Sequence, residues 1–366
     1  DNKGQWLNQT NNDFYEHTAL IDKNVKNQKV GKAIEQKAIF KLFTLGVSTN
    51  RDNWAYDFDK EQLEKKIKCF LKIYNNERKK WADKKLNDAN FNDNLDYSIK
   101  WSEHLKKQLI QNKEIKFNKK SIVKCLYRPF IYQYLYFSNK FCDRLSFNKF
   151  LFPNENSENL TLNFHVPIPN RIHYSLVSKI LIDLSFTIIA GNISVPLYVY
   201  ENGEKKLNIT DYAIKEFQNK YKDKATAENI FAYCHAVLSS PKYQKEYEEN
   251  LKIDYPRIPL YKNFDRFVEL GKRLIKLQTE FENFDCHADN NNNVALAHCV
   301  NNSKKSTQGI STPCYSATEK INLKIEKDFK YMPEDFSMIK LNKEKGIIIF
   351  DGKNRIENIP KKAFDY

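Results

Sequence analysis

The chain has 366 residues and a formal net charge of +14. That length supports several subdomains with their own cores, and the charge favours a polyanionic partner. No apolar run is long enough to cross a bilayer and no signal segment opens the chain, which excludes a membrane-spanning or secreted reading and predicts the cytoplasm. The seven cysteines lack disulfide-scaffold spacing and fit a reducing compartment. Because the chain opens on Asp1 and not on Met, a fragment of a longer protein is expected.

Residues 1–45 show little periodicity, and the junction over 1–58 ends in Gly46-Val47-Ser48-Thr49-Asn50-Arg51-Asp52-Asn53-Trp54-Ala55-Tyr56-Asp57-Phe58. Gly46 reads as a turn, and Trp54, Tyr56 and Phe58 alternate as a half-buried strand does. Asp59 caps a helix expected to run to about residue 85, with Leu63, Ile67, Phe70 and Tyr74 on one face. A second helix is expected over 95–111, with Ile99, Leu105 and Leu109 inward. These two helices make a connector over 59–118.

A β-rich subdomain follows over 119–209. Ser121 to Tyr127 and Ile131 to Phe137 read as strands joined by a bend at Pro129. Leu160 to Val166, Ile180 to Ala190 and Ser194 to Tyr200 supply further apolar runs. Over 210–285 the chain turns helical, with caps at Thr210 and Thr226, Pro241 at a first helical position, and a fourth helix from Asn263. Residues 286–366 hold a polar, Asn-rich loop to 313 and then strands. Gly346 to Phe350 and Arg355 to Ile359 flank Asp351-Gly352, a hairpin signal. The fold class expected is therefore α+β, with a helical connector, a β-rich subdomain and a helical subdomain closed by a C-terminal hairpin.

Within the junction, Thr49, Asn50 and Arg51 offer a hydroxyl, an amide and a guanidinium in three residues, a set that suits phosphate oxygens or base edges. A plain surface turn at Arg51-Asp52 is the competing reading. Arg128 is either a phosphate contact or a core-edge arginine lying over tyrosines. Tyr132, Tyr134 and Tyr136 alternate at period two and read as core packing rather than base stacking. Cys286-His287, His298-Cys299 and Cys314 have zinc-ligand chemistry but not a standard spacing, and a polar loop with incidental thiols is the better reading.

Several blocks share a pattern. They are Trp6 to Phe14, the junction 46–58, Ile73 to Glu77, and Tyr127-Arg128-Pro129-Phe130 with Leu135-Tyr136-Phe137. Further on come Pro196 to Tyr200 with Asn208 to Asp211, and Ile230 to Tyr233 with Val237 to Tyr243. Pro256 to Leu260 with Leu270 to Leu274, and Ile359 to Tyr366, complete the set. In this order they resemble the C-terminal specificity region of type ISP-like restriction-modification enzymes, single polypeptides that join an adenine-N6 methyltransferase to a DNA-reading domain. The resemblance implies double-stranded DNA as partner and an upstream methyltransferase domain on the same chain. It also implies S-adenosylmethionine, ATP and Mg as cofactors of the parent, with none held by this segment. The chain has no Asn-Pro-Pro-Tyr, no Gly-rich cofactor fingerprint and no P-loop, so no catalytic residue is expected here. Asp351-Gly352-Lys353 reads as a turn rather than a nuclease pair.

On this footing Thr49, Asn50, Arg51 and Arg128, which lie in shared blocks, are the DNA-backbone candidates. The stretches 87–94, 139–173 and 286–313 match nothing in the pattern. From 139–173 come the base-reading candidates Arg144, Asn148, Asn170 and Arg171. Two alternatives stand beside this reading. The helices over 210–283 could dock the methyltransferase or motor without touching DNA, or the chain could bind single strands through aromatic and basic residues.

Overall fold

A computed structural model describes residues 10–23, 37–82, 94–145, 147–154, 156–169, 173, 175–187 and 191–283, with four strands between 322 and 357. Its helices and small sheets make an α+β protein. The contacts form two units, Asp1–Thr279 and Glu280–Tyr366.

The first unit has two apolar cores. One is built on α1 (Asp52–Ala55), β4 (Tyr56–Asp57), α2 (Lys60–Ala82), α3 (Glu103–Ile110), β5 (Ile122–Arg128) and β6 (Ile131–Tyr136). Helix α2 starts where the sequence predicts, because the Asp59 carboxylate accepts the amides of Glu61 and Gln62 at 2.7 and 2.9 Å. Leu63, Ile67, Phe70 and Tyr74 are fully buried along its inner face. Helix α3 is shorter than expected. It begins after Ser102, whose hydroxyl accepts from the Leu105 amide, and Leu95 and Ile99 are buried from turns. Strands β5 and β6 form a hairpin flanked by β4, in the order β4-β6-β5. Its turn places Phe130 at φ +61°. Of the tyrosine stripe, only Tyr136 is buried. Tyr132 and Tyr134 are half-buried, with the Lys124 and Lys60 ammonium groups over their rings at 3.9 and 5.9 Å.

The other core lies between an antiparallel sheet and helices. The sheet runs β3 (Thr44–Leu45), β9 (Asn192–Pro196), β7 (Thr161–His165), β8 (Ser175–Ser178). Leu162, Phe164, Val177, Ile193 and Val195 point into this core, with Phe217 of α4 (Asp211–Tyr221), Phe231 of α5 (Ala227–Leu238) and Phe264 of α8 (Phe264–Thr279). Helices α4 and α5 are capped by the Thr210 and Thr226 hydroxyls, as predicted. Helices α6 (Pro241–Glu246) and α7 (Glu248–Leu251) continue the layer. A second sheet pairs β1 (Thr18–Ile21) in parallel with β2 (Ala38–Phe40) and antiparallel with β12 (Arg257–Ile258). The hairpin of β10 (Tyr198–Glu201) and β11 (Glu204–Leu207) turns at Asn202 and Gly203, both at positive φ. An Asn-Gly pair is the sequence signal for such a turn.

The opposite face of the β3-β9-β7-β8 sheet is polar yet buried. Thr161, Asn163 and His165 of β7 face it, beside Ser178, Ser194 and Asn192. The groups satisfy one another. The Ser194 hydroxyl donates to the Asn163 carbonyl at 2.7 Å, the Asn163 amide donates to Ser178 Oγ at 3.3 Å, and the Thr161 and Ser178 hydroxyls lie 2.9 Å apart. The apolar run expected as a strand over 180–190 is turns and bends with two isolated bridges, at Ile182 and Asp183, among its described residues. Residues 181–184 instead bridge β5 and the junction, through Leu126–Leu181, Asp183–Leu126, Val47–Ile182 and Leu184–Val47 backbone bonds of 2.8–3.0 Å.

This bridge corrects the reading of Gly46. Its φ is not in the left-handed region. The position needs glycine because a Cβ would sit 2.6 Å from the Asp183 carbonyl carbon and 2.8 Å from Leu184 Cα. Gly271 serves α8 in the same way, since a Cβ there would overlap the Ala232 carbonyl of α5. Gly271→Ala is therefore expected to push the two helices apart and lower stability by about 1–3 kcal/mol. Chemical denaturation of the chain checks this, and an unchanged midpoint would refute the close-approach argument.

In the second unit the strand order is β13 (Asn322–Lys324), β16 (Arg355–Glu357), β15 (Ile347–Ile349), β14 (Lys340–Asn342), all antiparallel. The expected hairpin across Asp351-Gly352 is the β15–β16 pair. The turn itself, and the cysteines and histidines of 286–314, lie outside the described residues.

Candidate nucleic-acid interface

The junction loop turns at Asn50, an asparagine at φ +53°, a conformation this residue tolerates better than most. Its amide is exposed and donates to the Asp143 carboxylate at 2.7 Å. Thr49 is buried, with its hydroxyl on the Asp52 carboxylate. Arg51 is buried as well, only 1 % exposed. Its guanidinium donates to the Phe141 carbonyl and to the Ser102 hydroxyl. It also lies 5.2 and 5.7 Å from the Phe141 and Phe70 ring centroids. Burial lowers its pKa from the usual guanidinium range. A side chain so enclosed does not reach a phosphate. The expectation that Thr49 and Arg51 are backbone contacts is replaced by a structural role, the joining of the junction to α3 and to the loop 138–149.

That loop carries little regular structure, yet hydrogen bonds hold it at short intervals. His104 donates to the Asn139 carbonyl at 3.1 Å and Gln108 to the Lys140 carbonyl at 2.8 Å. Arg51 takes the Phe141 carbonyl. Ser48 and Arg144 exchange backbone bonds of 3.1 and 3.0 Å. Asn148 is buried and donates to the Leu45 and Leu145 carbonyls at 2.8 and 2.9 Å. Asn148 therefore anchors the loop and is not placed to read a base. Between the anchors Asn139, Lys140, Arg144 and Lys149 are exposed. The loop thus separates inward side chains that fix its path from outward ones free to meet a partner. Asn170 and Arg171 lie outside the described residues.

Arg128 sits as the core-edge reading has it, over a tyrosine and with part of its side chain exposed. Its guanidinium stacks 4.0 Å from the Tyr127 ring centroid and pairs with the buried Asp183 carboxylate at 3.0 Å, while 36 % of its side chain stays exposed. Asp183 also accepts from the Tyr56 hydroxyl at 3.0 Å and the Ser185 amide at 2.8 Å. Burial and the neighbouring Asp52 charge raise the Asp183 pKa against these bonds. No group of three or more His, Cys, Asp or Glu side chains able to hold a metal occurs among the described residues. No helix there is long and apolar enough to cross a membrane.

The model of the type ISP C-terminal specificity domain family matches residues 38–366. The chain belongs to the type ISP C-terminal specificity domain family. Along its whole length this specificity domain is similar to DrdV, solved by cryo-electron microscopy as a DNA complex. The identity is 28 %, the TM-score 0.74, and 34 % of that chain is covered. It is similar in the same way to a nuclease-deletion mutant of the type ISP restriction-modification enzyme LlaGI in complex with a DNA substrate mimic. There the identity is 26 %, the TM-score 0.67 and the coverage 25 % of that chain. The ATP-dependent type ISP enzyme LlaBIII, bound to DNA, shares the fold at 23 % identity and a TM-score of 0.70, with 21 % of it covered. The specificity domain thus spans about a third or less of these enzymes. Comparison with the curated proteins gave no match.

Sequence reasoning missed the anchors of the specificity domain's loop, above all Gln108. Its position on the inner face of α3, one residue before Leu109, was the available signal.

Proposed function

We propose that this specificity domain reads duplex DNA in a sequence-specific manner. It would hold the target site for an adenine-N6 methyltransferase domain upstream on the same polypeptide. The observation that carries this reading is the whole-length match to two enzymes at 28 % and 26 % identity, each solved with DNA or a DNA mimic. The net charge of +14 and the exposed basic residues of an anchored loop support it. S-adenosylmethionine, ATP and Mg would serve other domains of the parent, since this chain has no motif for them.

In this reading Arg144 contacts a base edge, and Arg128 and Asn50 meet the phosphate backbone. Asn170 and Arg171 keep their assignment as base readers. The test is selection of a randomised duplex pool on the 366-residue chain. We expect one sequence to be enriched over the pool and over its separated strands. Arg144→Ala should weaken that sequence by about 1–3 kcal/mol, roughly 5- to 150-fold, and leave random duplex unaffected. Equal retention of single strands, or no enrichment, would sink the reading in favour of a general nucleic-acid binder or a docking module.

A further inference from the structure

Beside the anchored loop lies a cleft of about 550 Å³. Residues 114–121 form one wall and 136–149 the other. Its lining carries three ammonium groups, Lys116, Lys140 and Lys149, against one carboxylate, Glu114. Lys116 lies 3.6 Å from Glu114, so that pair is close to neutral. No other carboxylate in the lining offsets Lys140 and Lys149.

Lys140 reaches across the cleft and donates to the Glu114 carbonyl at 3.3 Å. That is one long bond to a neutral acceptor, and an ammonium has three protons to give. The Lys149 ammonium lies 4.7 Å from the Phe150 ring centroid, which steadies it without cancelling its charge. Clefts lined by one sign of charge concentrate the potential beyond what the same charges give on an open surface.

This lining suits an anion and not an apolar small molecule, whose sites are mostly hydrophobic with a few polar groups. It contains no glycine, and so lacks the Gly-rich backbone cradle typical of free phosphate and nucleotide sites. Ammonium groups are point charges matched to phosphate oxygens, whereas base readout relies on planar forks and amides. Lys140 and Lys149 also belong to the same held loop that exposes Arg144.

We infer that this cleft grips the phosphates of one DNA strand through Lys140 and Lys149, with Lys116 on the facing wall, next to the loop that displays Arg144. The inference rests on the proposed duplex-binding function and gives that function its backbone anchor.

The test is fluorescence anisotropy of a labelled random-sequence duplex with the 366-residue chain, titrated across potassium chloride concentrations. Lys140→Gln with Lys149→Gln should weaken binding to all sequences alike, on the order of tenfold per lysine at 0.1 M salt. It should also lower the slope of log affinity against log salt by about 0.9 per lysine. Lys140→Arg with Lys149→Arg should restore the slope, and Lys215→Gln on the exposed side of α4 should leave it alone. Millimolar inorganic phosphate should compete no better than chloride of equal ionic strength, and stronger competition would make the cleft a free-phosphate site and overturn the inference. A glutamine variant that melts like the wild type and keeps the full affinity and slope would overturn it while leaving duplex binding intact. A loss confined to one preferred sequence would make the lysines base readers and overturn it too. A wild-type chain that fails to bind duplex would remove the functional reading and the cleft together.

Discussion

Replacing Arg51 with methionine is expected to destabilise the first unit by about 3–5 kcal/mol, since two hydrogen bonds given by a charged group, worth about 1.5–3 kcal/mol each, are lost together. The guanidinium is the shared partner of the Phe141 carbonyl and the Ser102 hydroxyl, and two aromatic rings pack on it. Methionine fills part of the volume but leaves the carbonyl without a donor, which by itself costs about 1–3 kcal/mol. Lysine keeps a charge but not the planar fork that serves both acceptors, so Arg51→Lys should rescue little. In a melt followed by circular dichroism the midpoint should fall by roughly 6–20 °C. Arg144→Ala is the internal control. That side chain is exposed and should cost no more than about 0.5 kcal/mol. Equal losses for the two arginines would show that burial does not set their roles apart.

The second large effect concerns acid. His173 and His235 are buried, and burial drives their pKa values down from 6.5 to about 3 and about 4, with the nearby His165 charge adding to the shift at His173. His235 lies 3.1 Å from the Ser175 hydroxyl, and so joins α5 to β8. Both rings are neutral in the fold and take up protons below pH 6.5 once unfolded. The unfolded state therefore binds more protons between about pH 6.5 and pH 3–4. Stability is fully present above pH 6.5 and falls as the pH drops through that window, by about 1.4 kcal/mol per pH unit for each ring. Asp183, with its raised pKa, works in the opposite direction. Urea midpoints at pH 7.5 and 4.5 should differ strongly, and His173→Asn with His235→Asn should flatten most of the difference. A wild-type midpoint independent of pH would contradict the burial of neutral rings.

What could be read from the sequence was what is locally determined. Asp59, Thr210 and Thr226 act within one turn of themselves, and the spacing of Leu63, Ile67, Phe70 and Tyr74 states which face of α2 is buried. The α+β class, the family and the hairpin across Asp351-Gly352 followed from such signals. Long-range partners were not readable. Arg51 and Asn148 look like surface residues because arginine and asparagine are seldom buried. Their carbonyl partners lie 90 and 103 residues away. The polar face of β7 has the same origin, since Asn163 is satisfied by Ser194, 31 residues on. Gly46 stands out in the sequence, but its reason, the nearness of Asp183, appears only in three dimensions.

The division within the loop 138–149 bears on how such a protein can change its target. Inward groups, from Gln108, Arg51 and Asn148, determine where the backbone runs. Outward positions such as Asn139 and Arg144 contribute little to that path, and substitutions at exposed sites of this kind usually alter stability by no more than about 0.5 kcal/mol. A new preference could therefore arise by single replacements on a stationary frame, with no interval in which the protein fails to fold. The positions most open to drift and to deliberate reprogramming would then coincide with those proposed to meet DNA.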